Sequence, residues 1–120
     1  MAIKKVLVVD DSLTDLTLMK DLLSGGGYQV STAGSGEEAL RKTRADRPDV
    51  IFLDVVMEDK NGFQTCRELK KDEATKAIPV FMVSSKSQKV DHLYAQQVGA
   101  VELLPKPVDG AAVLSRLKAL

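Results

Sequence analysis

The run Val50-Ile51-Phe52-Leu53-Asp54 decides the fold. Four consecutive apolar residues, β-branched or aromatic in the main, end abruptly on a carboxylate. A strand this apolar has no polar face, so both of its faces must be covered, as in a parallel sheet with helices on each side. The same grammar recurs at Val6-Leu7-Val8-Val9 before Asp10-Asp11, at Val80-Phe81-Met82-Val83 before Ser84, and at Val101-Glu102-Leu103-Leu104 before Pro105-Lys106-Pro107. In an open parallel sheet the C-terminal strand ends share one rim, and ligands bind there. Four segments therefore bring Asp10, Asp11, Asp54, Ser84 and Lys106 to one place.

Between these strands lie helical patterns. Leu13, Leu16, Met19 or Lys20, and Leu23 recur at helical spacing, and Gly25-Gly26-Gly27 stops the run. Tyr28 to Ala33 reads as a more polar strand, suited to a sheet edge. Ser35 and Glu38 form a capping-box signature for a second helix, which ends before Pro48. Asn61-Gly62 marks a turn, and Phe63, Cys66 and Leu69 share one face of a third helix. Pro79 opens the fourth strand. Val90, Leu93, Tyr94 and Val98 define a fourth helix with Gly99 at its C′ position. Asp109 caps a last helix carrying Val113, Leu117 and Leu120. Strand then helix, five times, without a linker or repeat, predicts a single domain over residues 1–120.

Composition narrows the function. Apolar residues make up 44% of the 120, enough for a core without staples. Seventeen Lys+Arg balance 17 Asp+Glu, which argues against binding nucleic acid through a basic face. Cys66 is the only cysteine, so no disulfide framework is expected, and it reads as a small hydrophobe on a helix. No apolar run reaches the ~20 residues of a membrane span. The start Met1-Ala2-Ile3-Lys4-Lys5 leads straight into a strand without a signal-peptide pattern, so a cytoplasmic protein is expected. His92, the only histidine, reads as an exposed helix residue.

Asp10, Asp11 and Asp54 would repel one another in a shared cleft unless a cation sat between them. Oxygen-only donors favour Mg²⁺ or a similar hard ion. A carboxylate beside such an ion can act as a nucleophile toward phosphorus. Lys106 can offset charge on the phosphoryl oxygens, and the Ser84 hydroxyl can donate a hydrogen bond to one of them.

The motifs Val9-Asp10-Asp11-Ser12, Leu53-Asp54, Met57 with Asn61-Gly62-Phe63, Val83-Ser84-Ser85, Gly99-Ala100 and Lys106-Pro107 together resemble the receiver domain of two-component response regulators. The resemblance spans nearly the whole chain. It implies a flavodoxin-like (βα)5 three-layer α/β sandwich whose parallel five-stranded sheet has the order 2-1-3-4-5. It implies that Asp54 is the phosphoacceptor, and that Asp10, Asp11, Asp54 and the backbone carbonyl of Val56 hold Mg²⁺. Ser84 would be the switch hydroxyl, Lys106 the phosphate-binding lysine, and Lys106-Pro107 a cis peptide. A histidine kinase would supply the phosphoryl group. A downstream protein target would read the result through the fourth helix, fifth strand and fifth helix. Such a domain is a signalling module, monomer or weak dimer, and not an enzyme beyond assisting its own phosphorylation and dephosphorylation.

Two positions depart from the family. Proline often follows the Met57 position, where this chain has Glu58, so a more mobile or charged loop is expected. Tyr or Phe often stands three residues before the lysine, where this chain has Leu103; Leu103 itself or Tyr94 would then take part in switching. Lys86 and Val56 flank the inferred site, as kinetic determinants or simply as exposed residues. The stretches Ser87 to His92, Gln97 to Ala100 and Asn61 to Gln64 resemble stand-alone regulators of type IV pilus twitching motility and related chemosensory arrays. With no output domain expected after Leu120, the chain would act by docking, as a phosphate sink, or as a phosphorylation-independent docking domain. A phosphohydrolase with an aspartyl nucleophile is disfavoured, because Val56 occupies the position of its second acid. A flavin carrier is disfavoured by the absence of Trp and of a hydroxyl-rich phosphate loop.

Overall fold

The computed structural model describes residues 2–120. Five strands alternate with five helices: β1 (Lys5–Val9), α1 (Leu13–Gly25), β2 (Gln29–Ala33), α2 (Gly36–Ala45), β3 (Val50–Asp54), α3 (Gly62–Lys71), β4 (Val80–Ser84), α4 (Lys89–Gln97), β5 (Glu102–Pro105) and α5 (Gly110–Lys118). The strands form one parallel sheet in the order β2-β1-β3-β4-β5, the order implied by the resemblance. The expectation for Met1 lies outside the described residues.

Strand residues alternate sides, and the sheet builds two cores from one set of apolar runs. Leu7, Val9, Ile51, Leu53, Met82 and Leu103 face a cluster with Ala39, Leu40, Phe63, Cys66, Leu69, Ala95 and Val98 of α2, α3 and α4. Val6, Val8, Phe52, Phe81, Val83 and Leu104 pack on Met19, Leu23, Val113 and Leu117 of α1 and α5. Phe52 and Phe81 stack at a centroid distance of 5.2 Å on this second face. The result is a three-layer sandwich. β2 lies at an edge, where exposed Gln29 and Ser31 cost nothing.

The helix signals hold in most particulars. Ser12, Ser35, Asn61 and Asp109 each cap the helix that follows through a side-chain oxygen. Gly27 and Gly99 adopt φ of 92° and 91°, left-handed conformations that an L side chain resists. The Ser35–Glu38 box forms by half. Glu38 N–H donates to Ser35 Oγ at 3.1 Å, but the Glu38 carboxylate reaches past the cap to Gly34 N–H at 2.7 Å.

Two apolar stripes meet the core only in part. At α4 the core contacts come from Ala95 and from Val98 at the C-cap, while Val90 and Leu93 are 65% and 50% exposed. On α1, Leu13 lies outside the core at 79% exposure. Helical spacing fixes which residues share a face, not which face meets the sheet. His92, expected to be exposed, is partly covered on α4 for the same reason.

Candidate functional site

The C-terminal rim of the sheet gathers the residues singled out in the sequence. Asp10 follows β1, Asp54 ends β3, Ser84 ends β4, and Lys106 follows β5. Their strands are hydrogen-bonded neighbours, so the side chains are fixed by sheet register. Lys106 N–H donates to the Ser84 carbonyl at 2.8 Å, and Val55 N–H to the Val83 carbonyl at 3.0 Å, which extends the ladder past the last paired residues.

Carboxylate oxygens of Asp10, Asp11 and Asp54 lie within 4.8 Å of one another. Asp10 and Asp54 are buried, and Asp11 is exposed at the mouth. Asp10 Oδ1 accepts from Ser12 N–H at 2.9 Å. Asp11 Oδ2 accepts from Glu58 N–H at 3.1 Å. A hard divalent cation fits this donor set, being all oxygen and open to water on the Asp11 side. Val56 lies two residues beyond Asp54, with its side chain 60% exposed.

Lys106 is the cation at the centre. Its Nζ lies 2.8 Å from Asp10 Oδ2, 2.9 Å from Asp15 Oδ2 and 3.1 Å from Asp54 Oδ1. Burial works against its charge, but hydrogen bonds to these carboxylates outweigh burial and hold the ammonium above the usual lysine range. Asp54 responds in the opposite sense. Burial pushes its carboxyl up to about 6, Lys106 pulls it down, and the charges of Asp10 and Asp11 push it up again. One cation shared among several carboxylates does not fully offset the burial of Asp54.

Ser84 is 2% exposed, and its Oγ accepts from Lys86 N–H at 3.0 Å. The Lys86 side chain itself is exposed. The Lys106-Pro107 peptide is cis.

The loop after β3 makes several hydrogen bonds to its neighbours. Glu58 N–H ties it to Asp11, a bond that a proline could not make. Asp59 accepts from Gly36 N–H at 3.1 Å and Glu37 N–H at 3.0 Å, which anchors the loop to the start of α2. Gly62 packs directly under the end of β3: a Cβ there would stand 2.1 Å from the Asp54 carbonyl oxygen. Leu103 is buried in the core, where the family often has an aromatic ring. Tyr94 packs on Phe63 in a tilted arrangement with ring centroids 4.6 Å apart and accepts a hydrogen bond from Arg67 at 3.2 Å.

Asp15 is the residue that the sequence reading missed. It sits in the first turn of α1, where an acidic residue is unremarkable because it favours the helix dipole. No local signal marks it, because its partner Lys106 lies 91 residues away in the chain.

Comparison with known proteins agrees with this geometry. The family model described as "Response regulator receiver domain" matches residues 6–118. The chain is similar to Protein PilH of Pseudomonas aeruginosa, with 39% identity over 116 residues, covering 97% of this chain and 96% of that protein. It is similar to Protein PilG of the same organism, with 38% identity over 115 residues, covering 96% of this chain and 85% of that one. Among solved structures, the chemotaxis protein CheY4 of Vibrio cholerae superposes with a TM-score of 0.91 at 33% identity, covering 98% of both chains.

Proposed function

The chain belongs to the response regulator receiver domain family, and on that footing we propose that residues 1–120 form a single receiver whose phosphoacceptor is Asp54. Members of this family are signalling domains of two-component systems rather than enzymes acting on a metabolite. A phosphohistidine of a kinase is the donor. Its N–P bond breaks as an Asp54 carboxylate oxygen bonds to phosphorus, and the imidazole leaves with the electron pair. The observation that carries this reading is the convergence of three carboxylates within 4.8 Å on a rim where Lys106 stands 3.1 Å from Asp54.

Asp10, Asp11, Asp54 and the Val56 carbonyl would hold Mg²⁺, which would supply positive charge to offset that on the phosphoryl oxygens. Asp10 and Asp54 present their carboxylates from fixed strand ends, so little reorganisation is needed. Lys106 pairs with a phosphoryl oxygen. The Ser84 hydroxyl donates to another, while its present contact with Lys86 N–H keeps it at the rim.

The output is docking. Val90 and Leu93 on α4 and Val101 before β5 are at least half exposed, an apolar surface that suits a protein target. The balanced net charge gives no basis for a nucleic-acid partner. Similarity to PilH, PilG and CheY4 supports a role in pilus-based motility or chemotaxis. Among the described residues no helix is long and apolar enough to cross a membrane; a cytoplasmic monomer or weak dimer is the form we assign.

The residue assignment is tested by trapping. The protein is incubated with acetyl phosphate and Mg²⁺, reduced with borohydride, digested and sequenced by mass spectrometry. Homoserine at position 54 is the expected product of an aspartyl phosphate. Homoserine at another aspartate would reassign the phosphoacceptor.

A further inference from the structure

Lys106 has three N–H donors and three carboxylates within 3.1 Å. Asp10 and Asp54 belong to the acidic cluster that suits a cation. Asp15 does not. It reaches Lys106 from α1, its Oδ2 closer to Nζ than Asp54 Oδ1 is, and its side chain is 39% exposed. Asp10, Asp15, Asp54 and Lys106 also line one cavity of about 310 Å³ with Leu18 and Leu22 of α1, so a phosphodonor seated there lies beside the Asp15 charge.

From this arrangement we infer that Asp15 is a positioning residue that competes with the incoming phosphoryl group for Lys106, and so sets how fast anionic donors phosphorylate Asp54. The inference rests on Asp54 being the phosphoacceptor. When the donor is acetyl phosphate, an Asp54 carboxylate oxygen bonds to phosphorus as the bond from phosphorus to the acetate oxygen breaks, and acetate leaves with the electron pair. Charge on the transferred group needs a Lys106 donor. Asp15 holds one of the three, and its own charge repels the dianion.

The test compares wild type, Asp15→Asn, Asp15→Ser and Asp15→Glu for the rate of adduct formation, read by intact mass with Mg²⁺ present. Two donors are used: dianionic acetyl phosphate, and phosphoramidate, whose protonated nitrogen lowers its net charge. The neutral variants should react about three- to tenfold faster with acetyl phosphate. They should gain less with phosphoramidate, and the gain should shrink at high salt. Asp15→Glu should keep the wild-type rates. A merely structural role for Asp15 would not separate the donors or respond to salt in this way. Neutral variants that are folded, as judged by melting, but react no faster than wild type overturn the inference alone. So does an equal gain with both donors, or a gain in Asp15→Glu. No adduct on wild type with either donor overturns the Asp54 reading and the inference together.

Discussion

Lys106 Nζ stands 3.1 Å from Asp54 Oδ1, yet the Asp54 carboxyl is held at about 6, above its ordinary 3.8. The ion pair and the raised pKa are compatible because burial is the larger influence and because Asp10 and Asp15 share the same ammonium. The domain therefore folds around a carboxylate whose charge destabilises it in the absence of a bound cation.

That cost has a definite pH dependence. An acid with a higher pKa folded than unfolded binds more protons in the native state between the two values. Stability should thus fall as pH rises from about 4 through about 6 and stay lower above, by about 1–2 kcal/mol once solvent screening is allowed for. Asp54→Asn removes the charge. In metal-free buffer near neutral pH it should melt about 5–10 °C above wild type, and the two should converge near pH 4. Coincident melting curves at neutral pH would contradict the account of Asp54.

Cation binding should act in the same direction. Mg²⁺ at about 100 times its Kd should stabilise the wild type by about 2.7 kcal/mol, a shift of several degrees in Tm. Asp10→Asn and Asp11→Asn should each weaken the response at a given Mg²⁺ concentration. Thermal melts across a Mg²⁺ titration measure this, and an unchanged midpoint in wild type would rule out the proposed ligand set.

Gly62→Ala probes the support beneath the site. The new Cβ would meet the Asp54 carbonyl oxygen at 2.1 Å and Met82 Cε at 2.9 Å, and the first of these is backbone that cannot rotate aside. The substitution should cost at least about 2 kcal/mol in urea unfolding and slow phosphorylation by displacing the end of β3. Wild-type stability in this variant would show that the loop yields freely.

Much of this molecule is legible in its sequence, for physical reasons that differ by element. β1, β3 and β4 are buried on both faces, so their apolar runs stand out against the polar rim residues that end them. The sheet order came through the family resemblance rather than through any single strand. What periodicity left open is orientation: Val90, Leu93 and Val98 read as one stripe, but only Val98 of these meets the core, with Ala95. Contacts between residues distant in the chain were equally hidden. Asp15 and Lys106 are 91 residues apart, and nothing in either local pattern announces their pairing. Glu58 reads as making its loop more mobile or adding charge near the site; its backbone N–H, which proline lacks, also donates to Asp11.

The most direct measurement is the intact mass of the protein after incubation with acetyl phosphate, with and without Mg²⁺, for wild type and Asp54→Ala. A single phosphoryl adduct that requires both Mg²⁺ and Asp54 is the predicted result. An adduct that persists in Asp54→Ala, or none under any condition, would contradict the central claim and leave Ser84 and Lys106 without their assigned roles.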